Sequence, residues 1–202
     1  MPPRESIKGA PLDTLRRIGM DDETRELMER RALFRAGDIA RTFGERALFG
    51  TRRQAAMHEA GHAVAYVEIG ESVRSVRIFR RNGEWAGFTN AGERWEIGPH
   101  VSLDAHLQRA MVTLAGPMAE ITEIGVPSVA CAEELELALA MVESAAVSKK
   151  ADTTELGAQL LLMTFETIKK RRPAMRRLAA VLQTERRVNG DRLNALLSEG
   201  GA

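Results

Sequence analysis

The chain has 202 residues, a formal net charge of +1, 44% hydrophobic residues and 28% charged residues. These values exclude an intrinsically disordered or highly charged protein and are typical of a globular chain of one or two domains. Because there is no apolar run near the ~20 residues that span a bilayer, no apolar signal segment and only Cys131 as a disulfide candidate, we expect a cytoplasmic protein without a transmembrane segment.

The first fifty residues are rich in arginine and are interrupted by several glycines. This pattern predicts one or two short helices over about 21–36, with loose connections on either side. We expect residues 1–50 to form an Arg-rich helical N-terminal extension that stands apart from the main core, which residues 51–202 would form.

A well-bounded helix and a hairpin are predicted next. Thr51 and Gln54 have the spacing of a capping box, and Gly70 is suited to the position just after a helix. Residues 73–90 then have strand composition on both sides of Asn82-Gly83, a dipeptide typical of type I′ hairpin turns. We therefore expect a helix over 51–69 followed by two antiparallel strands.

Helical periodicity returns at Ser102 and continues to Gly116-Pro117, where we expect the helix to bend or end. Another helix is predicted over 132–147. Asp152 is suited to cap the next helix, which is expected to stop before Pro173.

Two more helices are predicted at the C-terminus. Pro173 suits the first turn of a helix that stops at Asn189-Gly190, and a short helix follows from Asp191. The fold class is therefore expected to be α+β and predominantly helical, with a small antiparallel hairpin or sheet and a C-terminal helical bundle.

The strongest functional signal lies inside the helix predicted at 51–69. HEAGH at 58–62 is an HExxH pattern, which places two imidazoles one turn apart on one helical face. Imidazole nitrogens suit Zn²⁺, which lowers the pKa of a bound water toward ~7, and the adjacent glutamate can accept that water's proton. The pattern predicts a zinc site with His58 and His62 as ligands and Glu59 as the catalytic base.

A third zinc ligand is needed, and two common spacings do not supply it. The metzincin pattern HExxHxxGxxH would require Gly and His where the chain has Ala65 and Glu68, so that class is excluded. A glutamate some twenty residues on, as in thermolysin-like enzymes, would be Glu84, which falls in the predicted hairpin. That class is disfavoured.

HEAGHAVAY is followed by the hairpin VRSVRIFRRNGEWAGFT, by LAGPMAE and by the tail LQTERRVNGDRLNALL. In this order, the four segments resemble the protease domain of the FtsH family of ATP-dependent zinc metalloproteases over about residues 51–198. The resemblance implies that residues 51–202 form a zinc metalloprotease-like domain. It also implies two histidine ligands, the glutamate beside them as the base, and an acidic third ligand on a later helix.

In that family the third ligand is an aspartate. Its best match here is Glu134, so a glutamate would replace the aspartate. A glutamate carboxylate also binds zinc, but its extra methylene requires a compensating shift of the backbone. Glu133 and then Cys131 are the alternatives.

LAGPMAE places Glu120 at a glutamate of the corresponding family motif, although Pro117 stands where the family usually has arginine. We expect Glu120 to bond backbone or to orient a zinc ligand rather than to bind zinc itself. Of the two histidines outside the motif, His100 is expected in a loop and His106 on a helix surface.

The sequence contains no GxxxxGK[ST] phosphate-binding loop and no counterpart of the family's ATPase module or membrane anchor. We therefore expect a zinc-dependent peptidase that hydrolyses loose or unfolded polypeptides, aligned along an edge of the sheet through 73–80 or 84–90. A separate unfoldase or adaptor could supply the unfolding work, and the chain could form an oligomer. The alternative is a catalytically inactive, zinc-stabilised binding or regulatory module.

Charge is unevenly distributed along the chain. Residues 1–57 contain 12 basic and 9 acidic residues, residues 58–147 contain 6 and 13, and residues 148–202 contain 11 and 6. The acidic centre includes the proposed zinc site, as expected for a cation-binding segment. The basic clusters at 169–172 and 176–177 are typical of solvated helix faces, so we expect no nucleic-acid partner.

Overall fold

Residues 22–48, 50–91 and 102–198 are described by the structure, a computed structural model. In chain order, its elements are α1 (Asp22–Phe43), α2 (Glu45–Leu48), α3 (Arg52–Glu68), β1 (Ser75–Arg81), β2 (Glu84–Asn90), α4 (Leu103–Ile124), α5 (Cys131–Lys149), α6 (Thr153–Glu185), β3 (Arg187–Asn189) and α7 (Gly190–Ser198). The predicted class, α+β and predominantly helical with a small antiparallel sheet, is confirmed. None of the described helices combines the length and apolar character needed to cross a membrane.

The sheet has the strand order β2-β1-β3, with both pairs antiparallel. Strands β1 and β2 form the predicted hairpin, with Ser75 opposite Asn90. Asn82 and Gly83 have φ values of 51° and 87°, as a type I′ turn requires. Strand β3 lies where a helix was expected to continue. The sequence did not indicate this strand because three residues are too few to show an alternating pattern.

Helix α3 lies at the centre of the fold, where it packs against α4, α6 and the hairpin. The predicted capping box is present: the Thr51 side chain accepts from the backbone N–H of Gln54, whose side chain accepts from the Thr51 N–H. A Cβ on Gly61 would lie 2.8 Å from the Cβ of Ala119 on α4. Only glycine at this position lets the two helices approach this closely.

Two prolines lie inside helices rather than at the predicted helix boundaries. Helix α4 continues through Pro117, and α6, which Asp152 caps as predicted, continues through Pro173. The predicted stop at Pro173 is therefore wrong, and one long helix replaces two. An interior proline costs about 3 kcal/mol, which buried neighbours such as Ala115 on α4 and Met175 on α6 offset by packing. The C-terminal helical bundle stays a prediction.

The N-terminal helix α1 extends beyond the predicted 21–36 and packs along α5. Met28 joins a core cluster shared with α4 and α5, and Ile39 and Ala47 join a second cluster beside the start of α5. The backbone N–H of Val129 donates to the carbonyl oxygen of Ala47 at 2.9 Å. The described part of this segment thus contributes to the core, whereas an appendage was expected. The division of the chain into two domains at residue 50 stays a prediction.

Candidate metal centre

Helix α3 brings the two histidines of the HExxH pattern together. The ring centroids of His58 and His62 are 4.7 Å apart, and their Nε2 atoms are 3.0 Å apart. Their i, i+4 spacing places both rings on one face of the helix. Their side chains are only 14% and 12% exposed. The two Nε2 atoms therefore converge on one sheltered point.

The two Nδ1 atoms are held by hydrogen-bond acceptors. Nδ1 of His58 lies 2.7 Å from Oε1 of Glu120, and Nδ1 of His62 lies 2.7 Å from the carbonyl oxygen of Val112. Because a carbonyl oxygen only accepts, Nδ1 of His62 carries the hydrogen, and a carboxylate imposes the same arrangement on His58. In the neutral tautomer that results, each Nε2 presents a lone pair.

Glu134, in the first turn of α5, faces both imidazoles. Its Oε2 lies 3.0 Å from Nε2 of His58, and its Oε1 lies 3.2 Å from Nε2 of His62. Ligand atoms at the corners of a zinc tetrahedron are about 3.3 Å apart. The spacing of these three side chains is therefore close to what zinc requires, and they form one of the two groups among the described residues that could hold a metal ion.

The charges at this point favour a cation. Burial is the largest single effect and lowers the pKa of His58 and of His62, but the negative charge and the hydrogen bonds of neighbouring groups, Glu134 first, together outweigh it. Both pKa values are raised, that of His58 strongly. Burial likewise raises the pKa of Glu134, but the charges of the two histidines hold it well below its usual range. Three acceptor groups with no hydrogen between them repel one another, so a proton or a metal ion is needed at their centre.

Gly116 on α4 leaves the space that an ion would need. A Cβ at this position would lie 2.5 Å from Nε2 of His62 and 2.6 Å from Nε2 of His58. Both separations are far below an ordinary contact between carbon and nitrogen. Any side chain here would push the imidazoles apart, so this glycine is required at the centre itself.

Glu120 is enclosed by a network behind His58. It is 2% exposed, and its Oε2 accepts from the backbone N–H of Ser128 at 2.7 Å. Its Oε1 also contacts the Ser128 hydroxyl at 3.2 Å and the Cys131 thiol at 3.3 Å. These partners match the expectation that Glu120 bonds backbone and orients a histidine, as carboxylates behind metal-bound imidazoles do.

Cys131 belongs to the second group that could hold a metal, with His58 and Glu120. Burial, and then the charge of Glu120, raise the pKa of the Cys131 thiol to about 12. Without a metal the sulfur therefore keeps its hydrogen near neutral pH, and an ion would have to displace that proton to bind the thiolate, whereas the Glu134 carboxyl is already ionised. The first group, with Glu134, is chemically the better match to zinc.

Glu59 is buried beside the histidines and anchored by β2. The Thr89 hydroxyl donates to Oε2 of Glu59 at 2.7 Å, and a Cβ on Gly87 would lie 2.5 Å from its Oε1. Burial raises the pKa of Glu59, and the charges of His62 and His58 only partly oppose this. A carboxyl with a raised pKa is suited to take up and release a proton near neutral pH.

The structure brings His58, His62 and Glu134 together, and their role as zinc ligands stays a prediction. Glu133, the alternative ligand, is buried and belongs to neither group that could hold a metal among the described residues. The expectation that His106 lies on a helix surface is wrong, since it is 1% exposed. Its helix, α4, is covered by α3, α5 and α6. His100 lies outside the described residues.

Several residues at the centre escaped sequence reasoning. Gly87 and Thr89 lie two residues apart on β2, so both face Glu59. A glycine two residues before a threonine in a predicted strand is only a weak indication that the strand contacts a buried carboxylate. Ser128 and the carbonyl oxygen of Val112 gave no signal, because hydrogen bonds of this kind depend on which segments meet. Gly116 was interpreted only as a helix breaker.

No protein-family model matches the chain, and no curated protein matches it. The likeness to the FtsH family therefore depends on the four sequence segments alone.

Proposed function

We propose that the chain is a zinc-dependent metallopeptidase that hydrolyses peptide bonds of loose or unfolded polypeptides. The observation that carries the proposal is the convergence of two imidazole Nε2 atoms and one carboxylate within 3.0–3.2 Å of one another. Two histidines and one glutamate are a ligand set of catalytic zinc, which leaves a position open for water or substrate. His58, His62 and Glu134 would hold the metal.

When bound, zinc would supply Lewis acidity, which lowers the pKa of a water and polarises a carbonyl. Glu59 would take a proton from the attacking water and pass it to the leaving amine. The hydroxyl of Thr89 holds Oε2 of this carboxylate, so its orientation is fixed before substrate binds. Glu120 and the carbonyl oxygen of Val112 keep the two imidazoles in the tautomer that binds a metal.

The outer edge of β2 is the better of the two predicted edges for aligning a peptide. Strand β1 pairs with β2 on one side and with β3 on the other, so it is the central strand. The backbone N–H of Trp85 donates to the carbonyl oxygen of Gly50, away from β1. Because this direction alternates along a strand, the backbone groups of Gly87 and Thr89 also face outward. A peptide paired there would pass beside Glu59.

The likeness to the FtsH family motivates the substrate class and the partners. A separate unfoldase or adaptor would supply unfolding work, and association into an oligomer is part of the same proposal. We place the activity in the cytoplasm, since one buried cysteine is in keeping with a reducing compartment.

Nucleic acid is not a proposed partner. Lys170 and Arg171 both pair with Glu68, and Arg172 and Arg176 both pair with Glu123. The basic clusters are therefore partly neutralised by carboxylates, which weakens attraction to phosphate.

The test is cleavage of unfolded casein by the wild type and by Glu59→Gln, with zinc content measured in both. The wild type is expected to contain one zinc and to cleave, whereas Glu59→Gln keeps zinc and loses cleavage. Gln159→Glu, which exchanges the same two groups in the opposite direction at an exposed position of α6, is the control and retains cleavage. Unchanged cleavage by Glu59→Gln would overturn the assignment.

One observation favours the second candidate, a catalytically inactive zinc-stabilised binding module. Both carboxylate oxygens of Glu134 face the imidazoles, Oε2 toward His58 and Oε1 toward His62. A carboxylate that used both oxygens would fill the position that a catalytic zinc keeps open. Stoichiometric zinc without cleavage by the wild type would support this candidate instead.

A further inference from the structure

Helix α5 presents Glu134 in its first turn but has no side-chain cap of its own. Ala130, the residue before this turn, is the N-cap, and it makes no side-chain capping hydrogen bond. The first N–H groups of α5, those of Cys131 and Ala132, donate to the carbonyl oxygens of Ser128 and Val129, so the helix start is held by the loop that precedes it. The direction of the Glu134 carboxylate therefore depends on contacts from outside α5.

Helix α1 supplies such contacts through two arginines. Glu136, two residues after Glu134, is 2% exposed. Nε of Arg31 lies 2.8 Å from its Oε2, and Nε of Arg35 donates to its Oε1. Arg31 also reaches Glu143, two turns further along α5, at 3.2 Å. A carboxylate buried this deeply requires partners of opposite charge, so the pairing fixes α1 against α5.

The same N-terminal segment also holds the loop that precedes α5. Ile39 and Ala47 pack against Val126 and Ala132 in one buried cluster. The carbonyl oxygen of Ala47 accepts from the backbone N–H of Val129. Contacts from α1 and α2 therefore lie both in the loop before α5, at Val126 and Val129, and on α5 itself, at Ala132 and Glu136.

We propose that helix α1 positions the third metal ligand: Arg31 and Arg35 hold Glu136 and thereby orient the first turns of α5, so that Glu134 faces the two imidazoles. This inference rests on the proposed metal centre. Residues two apart on a helix do not face the same way, so Glu136 acts on the centre through Glu134 and is a positioning residue. The N-terminal helix then supports the metal centre without contributing a ligand to it.

Zinc affinity, measured by competition with a chromophoric chelator, tests the inference in four proteins: wild type, Glu136→Gln, Glu134→Ala and the double variant. Glu136→Gln is expected to bind zinc about 10-fold more weakly, as loss of a residue that supports a ligand does. The double variant is expected to bind no more weakly than Glu134→Ala, because Glu136 acts through Glu134. An equal loss from Glu136→Gln in both backgrounds would indicate a general structural role and would overturn the inference.

Glu68→Gln is the matched control. Glu68 on α3 also pairs with two cations, Lys170 and Arg171 of α6. It lies ten residues from His58, about 15 Å along the helix, and its substitution is expected to leave zinc affinity unchanged.

Substitution of cobalt for zinc gives a spectroscopic measurement that a general loss of folding stability does not change. The visible spectrum of bound Co²⁺ depends on the number and geometry of its ligands. The spectrum of cobalt-loaded Glu136→Gln is expected to move toward that of Glu134→Ala. A wild-type spectrum and affinity in Glu136→Gln would refute the positioning role alone, whereas a wild type that binds neither zinc nor cobalt would refute the metal centre as well.

Discussion

Glu120 lies 2.7 Å from Nδ1 of His58, and both side chains are held inside the protein. The backbone N–H of Ser128 fixes the other carboxylate oxygen. One buried carboxylate thus connects α3, α4 and the loop before α5, and it orients the ring whose Nε2 faces Glu134. The first prediction concerns this contact.

Glu120→Gln is expected to weaken zinc binding about 10- to 100-fold, the usual effect of removing a carboxylate behind a metal-bound histidine. The glutamine keeps the shape of the side chain but loses the charge that favours the Nδ1–H tautomer. Competition with a chelator measures the effect. Glu123→Gln, one turn further along α4, is the control: Glu123 pairs with Arg172 and Arg176 instead of a histidine. Equal affinities in the two variants would contradict the role given to Glu120.

Gly116→Ala is expected to abolish stoichiometric zinc binding, because the new methyl group would lie within 2.6 Å of both Nε2 atoms. The measurement is metal content after dialysis against zinc. Gly157→Ala on α6 is the matched control, since no heavy atom lies within 4 Å of the added Cβ. That control is expected to keep zinc and to gain up to about 1 kcal/mol in free energy of unfolding. Full zinc content in Gly116→Ala would mean that the metal lies elsewhere.

Thr89→Val is expected to lower kcat for casein cleavage about 10-fold while zinc affinity stays unchanged. The hydroxyl donates to a charged carboxylate, and such bonds contribute about 1.5–3 kcal/mol, more than enough for this change in rate. Steady-state kinetics and chelator competition measure the two quantities separately. Thr184→Val serves as the control, because that exposed hydroxyl only donates to the carbonyl oxygen of Val181. A kcat equal in both variants would remove Thr89 from the proposed mechanism.

The ion pairs of Glu68 with Lys170 and Arg171 are expected to make a pH-dependent contribution to the free energy of unfolding. Burial raises the pKa of its carboxyl, but hydrogen bonds from Lys170 and Arg171 outweigh burial and lower the pKa below its usual 4.5. A carboxyl with a lowered pKa stabilises the folded state above its unfolded pKa, and this contribution is lost as the pH falls through the folded pKa. Urea unfolding of the metal-free wild type and of Glu68→Gln should show the wild type more stable at pH 7. The difference should shrink below pH 4.5; a constant difference would contradict the ion-pair origin.

The elements that short-range chemistry controls could be predicted from the sequence. The capping box of Thr51 and Gln54, the type I′ turn at Asn82-Gly83 and the pairing of His58 with His62 all act between residues at most four apart. Within that distance, backbone geometry by itself brings the groups together. The helical part of the fold class and the first two candidate metal ligands therefore followed from local sequence.

Two local rules gave wrong predictions, one of a helix boundary and one of burial, because packing opposed them. Pro173 removes one hydrogen bond from α6, yet buried residues on both sides keep the helix continuous. His106 was placed on a surface because its polarity favours one, but three helices cover α4. In both cases, many weak contacts with distant elements outweigh one local preference.

The sequence by itself determined that two imidazoles and a glutamate share one helix, and it left Glu134, Glu133 and Cys131 as candidates for the third ligand. Tertiary structure decided that Glu134 faces the histidines, because His62 and Glu134 are 72 residues apart and meet only when α5 packs beside α3 and α4. Adjacent residues on a helix point about 100° apart, so a rotation of α5 by about 100° would be needed to exchange Glu134 for Glu133. Contacts from α1 and α4, remote in sequence, set that rotation.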